Sequence, residues 1–126
     1  MNNDGSSNFP AGIDADEFSV AEKEAESTAG TFTHTFRKPF AYMGKTYTEL
    51  RFDWESLTGR DSLAIEAELQ ALGTPVIVPT FSGAYLIRMA AKACTEKIGA
   101  DAFELMPLSD YNKIRSAARS FLLAAE

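Results

Sequence analysis

Residues 80–98, TFSGAYLIRMAAKACTEKI, decide how this chain can fold. The stretch has no proline, and its one glycine, Gly83, falls in the first turn, where a break matters least. Arg88, Lys92, Thr95 and Glu96 recur at i, i+4, i+7 and i+8, so a helix gathers them on one narrow strip. Phe81, Ala84, Tyr85, Leu86, Ile87, Met89, Ala90, Ala91, Ala93, Cys94 and Ile98 cover the rest. A helix apolar around most of its circumference must be enclosed by other elements. The spacing therefore predicts a central helix over 80–98 in a mainly α domain.

On both sides of this post the chain supplies material to enclose it. Upstream, TFTHTF alternates threonine with Phe32, His34 and Phe36, the period of a strand, and Pro39 is expected to end that strand. After a turn at Gly44, TYTELRF alternates again, with Thr48, Leu50 and Phe52 on one face. These predict a two-stranded β-hairpin over 31–52, too small to persist without the helices. Thr58 with Asp61 matches a T-x-x-D helix start, and a helix over about 60–72 places Ile65, Leu69 and Leu72 on one face, with Gly73 as its stop. Downstream, Gly99 breaks the pattern and Asp101 is placed to cap a short turn over 101–105. A last helix over 110–124 repeats Tyr111, Ile114, Ala118, Phe121 and Leu122 at helical spacing.

Between the first two helices, Val76, Ile77 and Val78 stand between Pro75 and Pro79, which forces an extended crossing. Packing across the core or along the hairpin is one reading of this segment. Partial exposure as an apolar docking strip or an edge strand is the other.

With 126 residues and 45% hydrophobic content the chain can bury one core. Net charge is −6, and all of it lies at the start. Residues 1–30 carry seven acidic side chains against Lys23, whereas the remainder has eleven of each sign. Residues 1–30 read as a disordered acidic leader, with scattered Phe9, Ile13, Phe18 and Val20 and the alternative role of a docking arm. Residues 31–126 form a single α-rich domain. No apolar run reaches the roughly 20 residues that cross a bilayer, and MNNDGSSNFP has neither the basic region nor the apolar core of a signal peptide, so no membrane partner is expected.

Chemistry is conspicuous by its absence. His34 and Cys94 are each the sole residue of their type, which leaves no multi-cysteine metal site and no conventional triad. His34 reads as a strand-face histidine without a catalytic role, and Cys94 as a buried thiol behaving as a small hydrophobe. No phosphate-cradling glycine loop is present. The expectation is a non-enzyme with no cofactor, no metal and, given a neutral body, no nucleic acid.

Order and spacing of motifs add a further expectation. F-R-K-P-F-x-Y-x-G-K-x-Y-x-E-L-x-F-D-W runs from Phe36 to Trp54, then L-T-G-R-D from Leu57 to Asp61. S-G-A-Y-L-x-R-M-A-A-K follows from Ser82 to Lys92, and L-S-D-Y-x-K-I with a later F-L closes the series at Leu108 to Ile114 and Phe121 to Leu122. This layout, over about residues 32–123, resembles the tail assembly chaperones of long-tailed bacteriophages. The resemblance implies a small helical protein of the bacterial host cytoplasm that binds the tape measure protein. It would keep that client soluble until the tail tube protein polymerises around it, and would self-associate along it. The acidic leader is not part of the resemblance.

Such a coat needs exposed apolar strips, and the candidates are Val76, Ile77, Val78 and, on the last helix, Arg115, Arg119 and Leu123. Lys113, Arg115 and Arg119 either meet the acidic leader or a partner, or form a solvated face. Two other functions stay open: an interaction or regulatory module using the leader, and a nucleic-acid binder using those three bases.

Overall fold

A computed structural model describes residues 30–124. The predicted leader lies almost wholly outside the described residues. The chain forms an antiparallel hairpin of β1 (Thr31–Tyr42) and β2 (Lys45–Asp53), followed by helices α1 (Gly59–Ala71), α2 (Gly83–Ala93), α3 (Ala100–Glu104) and α4 (Leu108–Ala124). Short 3-10 turns at Trp54–Ser56 and Pro79–Phe81 join them. The architecture is mainly α with an N-terminal hairpin.

Alternation decides which hairpin face goes inward. Phe32, His34, Phe36 and Phe40 of β1 and Leu50 and Phe52 of β2 are buried, while the threonines between them face outward. Met43 and Gly44 both take positive φ, as a two-residue hairpin turn with the strands' right-handed twist requires. Pro39 does not end the strand. Register runs from Thr31 opposite Asp53 to Thr35 opposite Glu49, then resumes at Phe40 opposite Tyr47. Residues 36–39 thus stand against Thr48 alone, and the proline, which has no N–H to pair, sits inside this bulge. Thr48 is exposed, so the inward face of β2 is carried by Leu50 and Phe52.

The central post is α2, shorter than its apolar run suggests. Ser82 caps it by accepting from Tyr85 N–H at 3.1 Å, so the helix starts there and Phe81 lies outside it, 81% exposed. Within the helix, Tyr85, Leu86, Ile87, Met89, Ala90 and Ala93 are buried. It ends at Ala93, not Ile98. Cys94 turns to extended backbone and bridges Phe52, Thr95 N–H donates to Arg51 C=O at 2.8 Å, and the Glu96 carboxylate accepts from Arg51 N–H at 3.0 Å. The unpaired edge of β2 needs backbone partners more than the helix needs another turn. Of the expected polar strip, Arg88 and Lys92 remain helical, and Thr95 and Glu96 serve the sheet.

Around this post, α1 is attached by the Ser62–Tyr85 hydroxyl pair at 2.6 Å and by Arg88 to Glu68 at 2.9 Å. Its start is a reciprocal Thr58–Asp61 capping box, in which the Thr58 N–H holds the Asp61 carboxyl below its usual range. Ile65 and Leu69 are buried but Leu72, the helix's C-cap, is exposed, and Gly73 follows at positive φ. The short helix α3 has no side-chain cap. Asp101 instead accepts a hydrogen bond from the Tyr42 hydroxyl, which ties the hairpin tip to α3 and raises the phenol's ionisation above its ordinary range.

Cys94 is fully buried, and removal from water pushes its thiol up to about 11. Native protein at pH 8 should therefore resist alkylation, with modification following only on unfolding in denaturant. The folded chain holds the thiol proton more tightly than the unfolded one, whose ordinary value is 9.0. Stability should fall as pH rises from that value towards about 11, and Cys94→Ala should flatten that part of the profile. Rapid alkylation of the native protein would contradict the burial.

Candidate apolar docking surface

Two prolines with three β-branched residues between them give the 75–79 segment little freedom. Val76 turns inward and packs on the core, half-buried. Ile77 points out at 89% exposure and Val78 at 44%. Phe81 N–H then donates to Val78 C=O at 3.0 Å and Ser82 N–H to Pro79 C=O at 3.1 Å, closing the 3-10 turn. Phe81 is left facing outward. Three large apolar side chains thus project from one five-residue stretch, while Val76 alone of the three β-branched residues packs on the core.

Helix α4 fixes this stretch in place. Arg119 Nε donates to the Thr80 carbonyl at 2.8 Å, and Arg115, with its guanidinium 5.7 Å from the Tyr111 ring, lies with Tyr111 against Gly83 at the start of α2. Arg115, Arg119 and Leu123 recur every four residues, so they form one stripe along the helix. Leu123 is 53% exposed one turn beyond Arg119. The structure therefore gathers the candidates: Val76 supports, Ile77 and Val78 project, Arg119 ties, Arg115 flanks and Leu123 extends the stripe. Both arginines are half-buried, a departure from a freely solvated face.

Helix α4 contributes cations to this surface. Asp110, the one carboxylate of α4, is buried and accepts from His34 Nε2 at 2.8 Å, whereas Lys113, Arg115 and Arg119 lie on the helix's outer sides. Arg115 Nε is buried without a hydrogen-bond partner. Arg115 and Arg119 therefore put positive charge beside the apolar stretch.

Sequence reasoning missed two features. Periodicity alone puts Phe81 on the apolar face of the central helix, whereas the Ser82 cap starts the helix after it. The His34–Asp110 pair, 76 positions apart, joins β1 to α4 across the core and leaves no local signature. With both partners buried, it is a structural tie closed to any substrate. A hollow of about 150 Å³ between α1, α2 and α4 is lined by residues including Leu57, Ile65, Tyr85, Met89, Phe121 and Leu122. Among the described residues no group of three or more His, Cys, Asp or Glu is placed to hold a metal ion, and no helix is long and apolar enough to cross a membrane.

Comparison with family models, with curated proteins and with solved structures gives no match to this chain.

Proposed function

We propose that this protein is a non-enzymatic tail assembly chaperone of a long-tailed bacteriophage, which binds the apolar, helical tape measure protein and keeps it soluble until the tail tube protein polymerises around it. The observation that carries the reading is the stretch from Ile77 to Phe81. It presents three large apolar side chains to solvent while its backbone is closed by the 3-10 turn and tied to α4 through Arg119. A contiguous exposed apolar patch on a soluble body marks an interaction surface. A rigid one binds with less ordering cost than a loop that must first be organised.

One such patch per subunit gives a weak contact. Many subunits along one extended client, associating with one another, bind strongly through repetition. Weak individual contacts are also what a coat needs if the tube protein is to displace it.

Replacing both anchors, Ile77→Ser with Phe81→Ser, tests this. Both side chains are largely in water, so folding stability should change by no more than about 0.5 kcal/mol. Central apolar anchors contribute about 2 kcal/mol or more each to binding. Co-expressed tape measure protein should therefore move from the soluble to the pelleted fraction while the variant itself stays folded and soluble. An equally soluble client with the variant would count against the reading.

A further inference from the structure

We propose that the open edge of β1 at Thr31, Thr33 and Thr35 pairs with the same edge of a second copy, joining two hairpins into one four-stranded antiparallel sheet. This surface shares no residue with the docking strip, and the pairing needs no client.

The direction of each backbone group follows from β2. Arg51 directs both of its groups to the far side of that strand: its N–H donates to Glu96 Oε1 at 3.0 Å and its C=O accepts from Thr95 N–H at 2.8 Å. Residues opposite each other in an antiparallel pair either bond to each other or both turn away. Thr33 stands opposite Arg51, so its N–H and C=O turn away from β2, and those of Thr31 and Thr35 do the same two residues to either side. Among the described residues no group bonds to these outward N–H and C=O groups. Residues 94–96 thus cover the outer edge of β2, while that of β1 stays open.

Protection of the β1 edge stops where the threonines begin. A bulge together with Arg37, Lys38 and Pro39 guards the far half of the strand, and these are common devices against edge pairing. Residues 31–35, Thr-Phe-Thr-His-Thr, hold no lysine, arginine, proline or glycine, and the three threonines are exposed. A two-fold axis through Thr33 makes this edge complementary to itself. Thr33 then meets Thr33 of the second copy and Thr31 meets Thr35, each pair exchanging two hydrogen bonds. The same axis keeps both aromatic faces on one side, so α4 of each copy runs beneath the joint. That helix turns Asp110 to β1 and Arg115 and Arg119 towards the start of α2, which leaves Lys113, Ser116 and Ser120 on its free flank, all exposed. The two serines are short, and the stem of Lys113 can carry its ammonium clear of the joint.

Charge favours a second copy over an unrelated strand. In this register the basic end of one edge, Arg37 and Lys38, comes beside Gly30 of the other copy, where Glu55 stands. A Cβ on Gly30 would lie 3.6 Å from Glu55 Oε2. The contact of unlike charges forms twice, once at each end. The open edge is about 17 Å long, short of a standard interface, so pairing is weak and depends on concentration. Because a two-fold contact closes at two copies, the paired unit carries the docking strip twice, and on the function proposed above it binds a client bivalently.

Residue-resolved hydrogen exchange on the full chain, with sedimentation equilibrium on the same samples, tests the pairing without any client. Average mass should rise towards that of two chains between about 20 µM and about 1 mM protein, and the amides of Thr31, Thr33 and Thr35 should slow at least about fivefold. The amides of Phe32 and His34, turned towards β2, should change far less. Thr33→Pro removes an N–H that the hairpin does not use and should leave a monomer. Arg37→Glu with Lys38→Glu in one chain, and Glu55→Lys in another, should each weaken pairing about threefold to tenfold, and mixing the two proteins should restore it. Recovery on mixing is a readout that any effect of proline on the hairpin leaves untouched. Ile77→Ser with Phe81→Ser should pair like the natural chain. A mass that stays at one chain up to about 1 mM would overturn the proposal. So would undiminished association in Thr33→Pro, no recovery on mixing, or association lost in the Ile77→Ser, Phe81→Ser pair. Edge amides that slow only when a client is added would assign the edge to the client and equally overturn it.

Discussion

Trp54→Ala is expected to destabilise the protein by about 3–5 kcal/mol. That is a large share of the roughly 5–15 kcal/mol that holds a domain of this kind together. The indole is fully buried and stands at the junction of every layer. It stacks on Phe52 of β2 at 5.4 Å and on Phe121 of α4 at 5.9 Å, and Phe52 in turn meets Phe32 at 6.0 Å and Phe103 of α3 at 6.1 Å. Truncation leaves a cavity where hairpin and helices converge, and such a junction cannot collapse without moving one of them. Trp54→Phe should behave differently. The indole Nε1 is buried without a hydrogen-bond partner, so removing it relieves an unmet donor while most of the apolar ring is kept. The phenylalanine variant should lose less than about 1.5 kcal/mol. Urea unfolding of both variants, followed by far-ultraviolet circular dichroism, checks the split. Equal losses would mean that shape, and not the unmet donor, dominates at this site.

Asp110→Ala should cost about 3 kcal/mol, the upper end of the range for leaving a buried polar partner without its hydrogen bond. Its carboxylate accepts from His34 Nε2 inside the interface between β1 and α4, and Phe36 packs edge-on against the imidazole at 5.0 Å. Alanine removes the acceptor and leaves the buried imidazole to bear the desolvation cost. Asp110→Asn keeps an oxygen in place and should cost clearly less. Replacing both partners by apolar residues, His34→Phe with Asp110→Leu, should recover part of the loss, because no polar group is then stranded. Thermal unfolding of the four variants measures this ordering. An alanine variant as stable as the natural protein would show that the pair contributes nothing to joining the hairpin to the helix.

Local signals in the sequence carry the hairpin and the helices well, and long-range ones badly. Strict alternation in TFTHTF and in TELRF reports which face goes inward, because a strand has no other way to bury three aromatics. The Thr58–Asp61 box and the Ser82 cap are local hydrogen bonds between near neighbours, so they too are legible. Residues 94–98 are misread as helix because their fate is decided by Arg51 and Phe52, more than forty positions earlier, whose open edge captures Cys94 and Thr95. Pro39 is misread as a stop because a bulge can absorb a missing donor when the strand resumes beyond it. At the docking surface, the flanking prolines announce an extended segment but not its orientation. Whether Ile77 or Val76 faces the core depends on where α4 pulls the turn through Arg119 and Thr80, a contact made across 39 positions. Phe81 belongs to the surface for the same reason.

The claim that this exposed strip serves to hold a tape measure protein in solution is tested most directly by co-expressing the full chain with the tape measure protein of the same genome. The fraction of client in the cleared lysate is then measured alongside a complex recovered by affinity purification. The account predicts a soluble complex with the natural chain and a pelleted client with the Ile77→Ser, Phe81→Ser pair. No recovered complex, or a client that is equally soluble with both proteins, would contradict it.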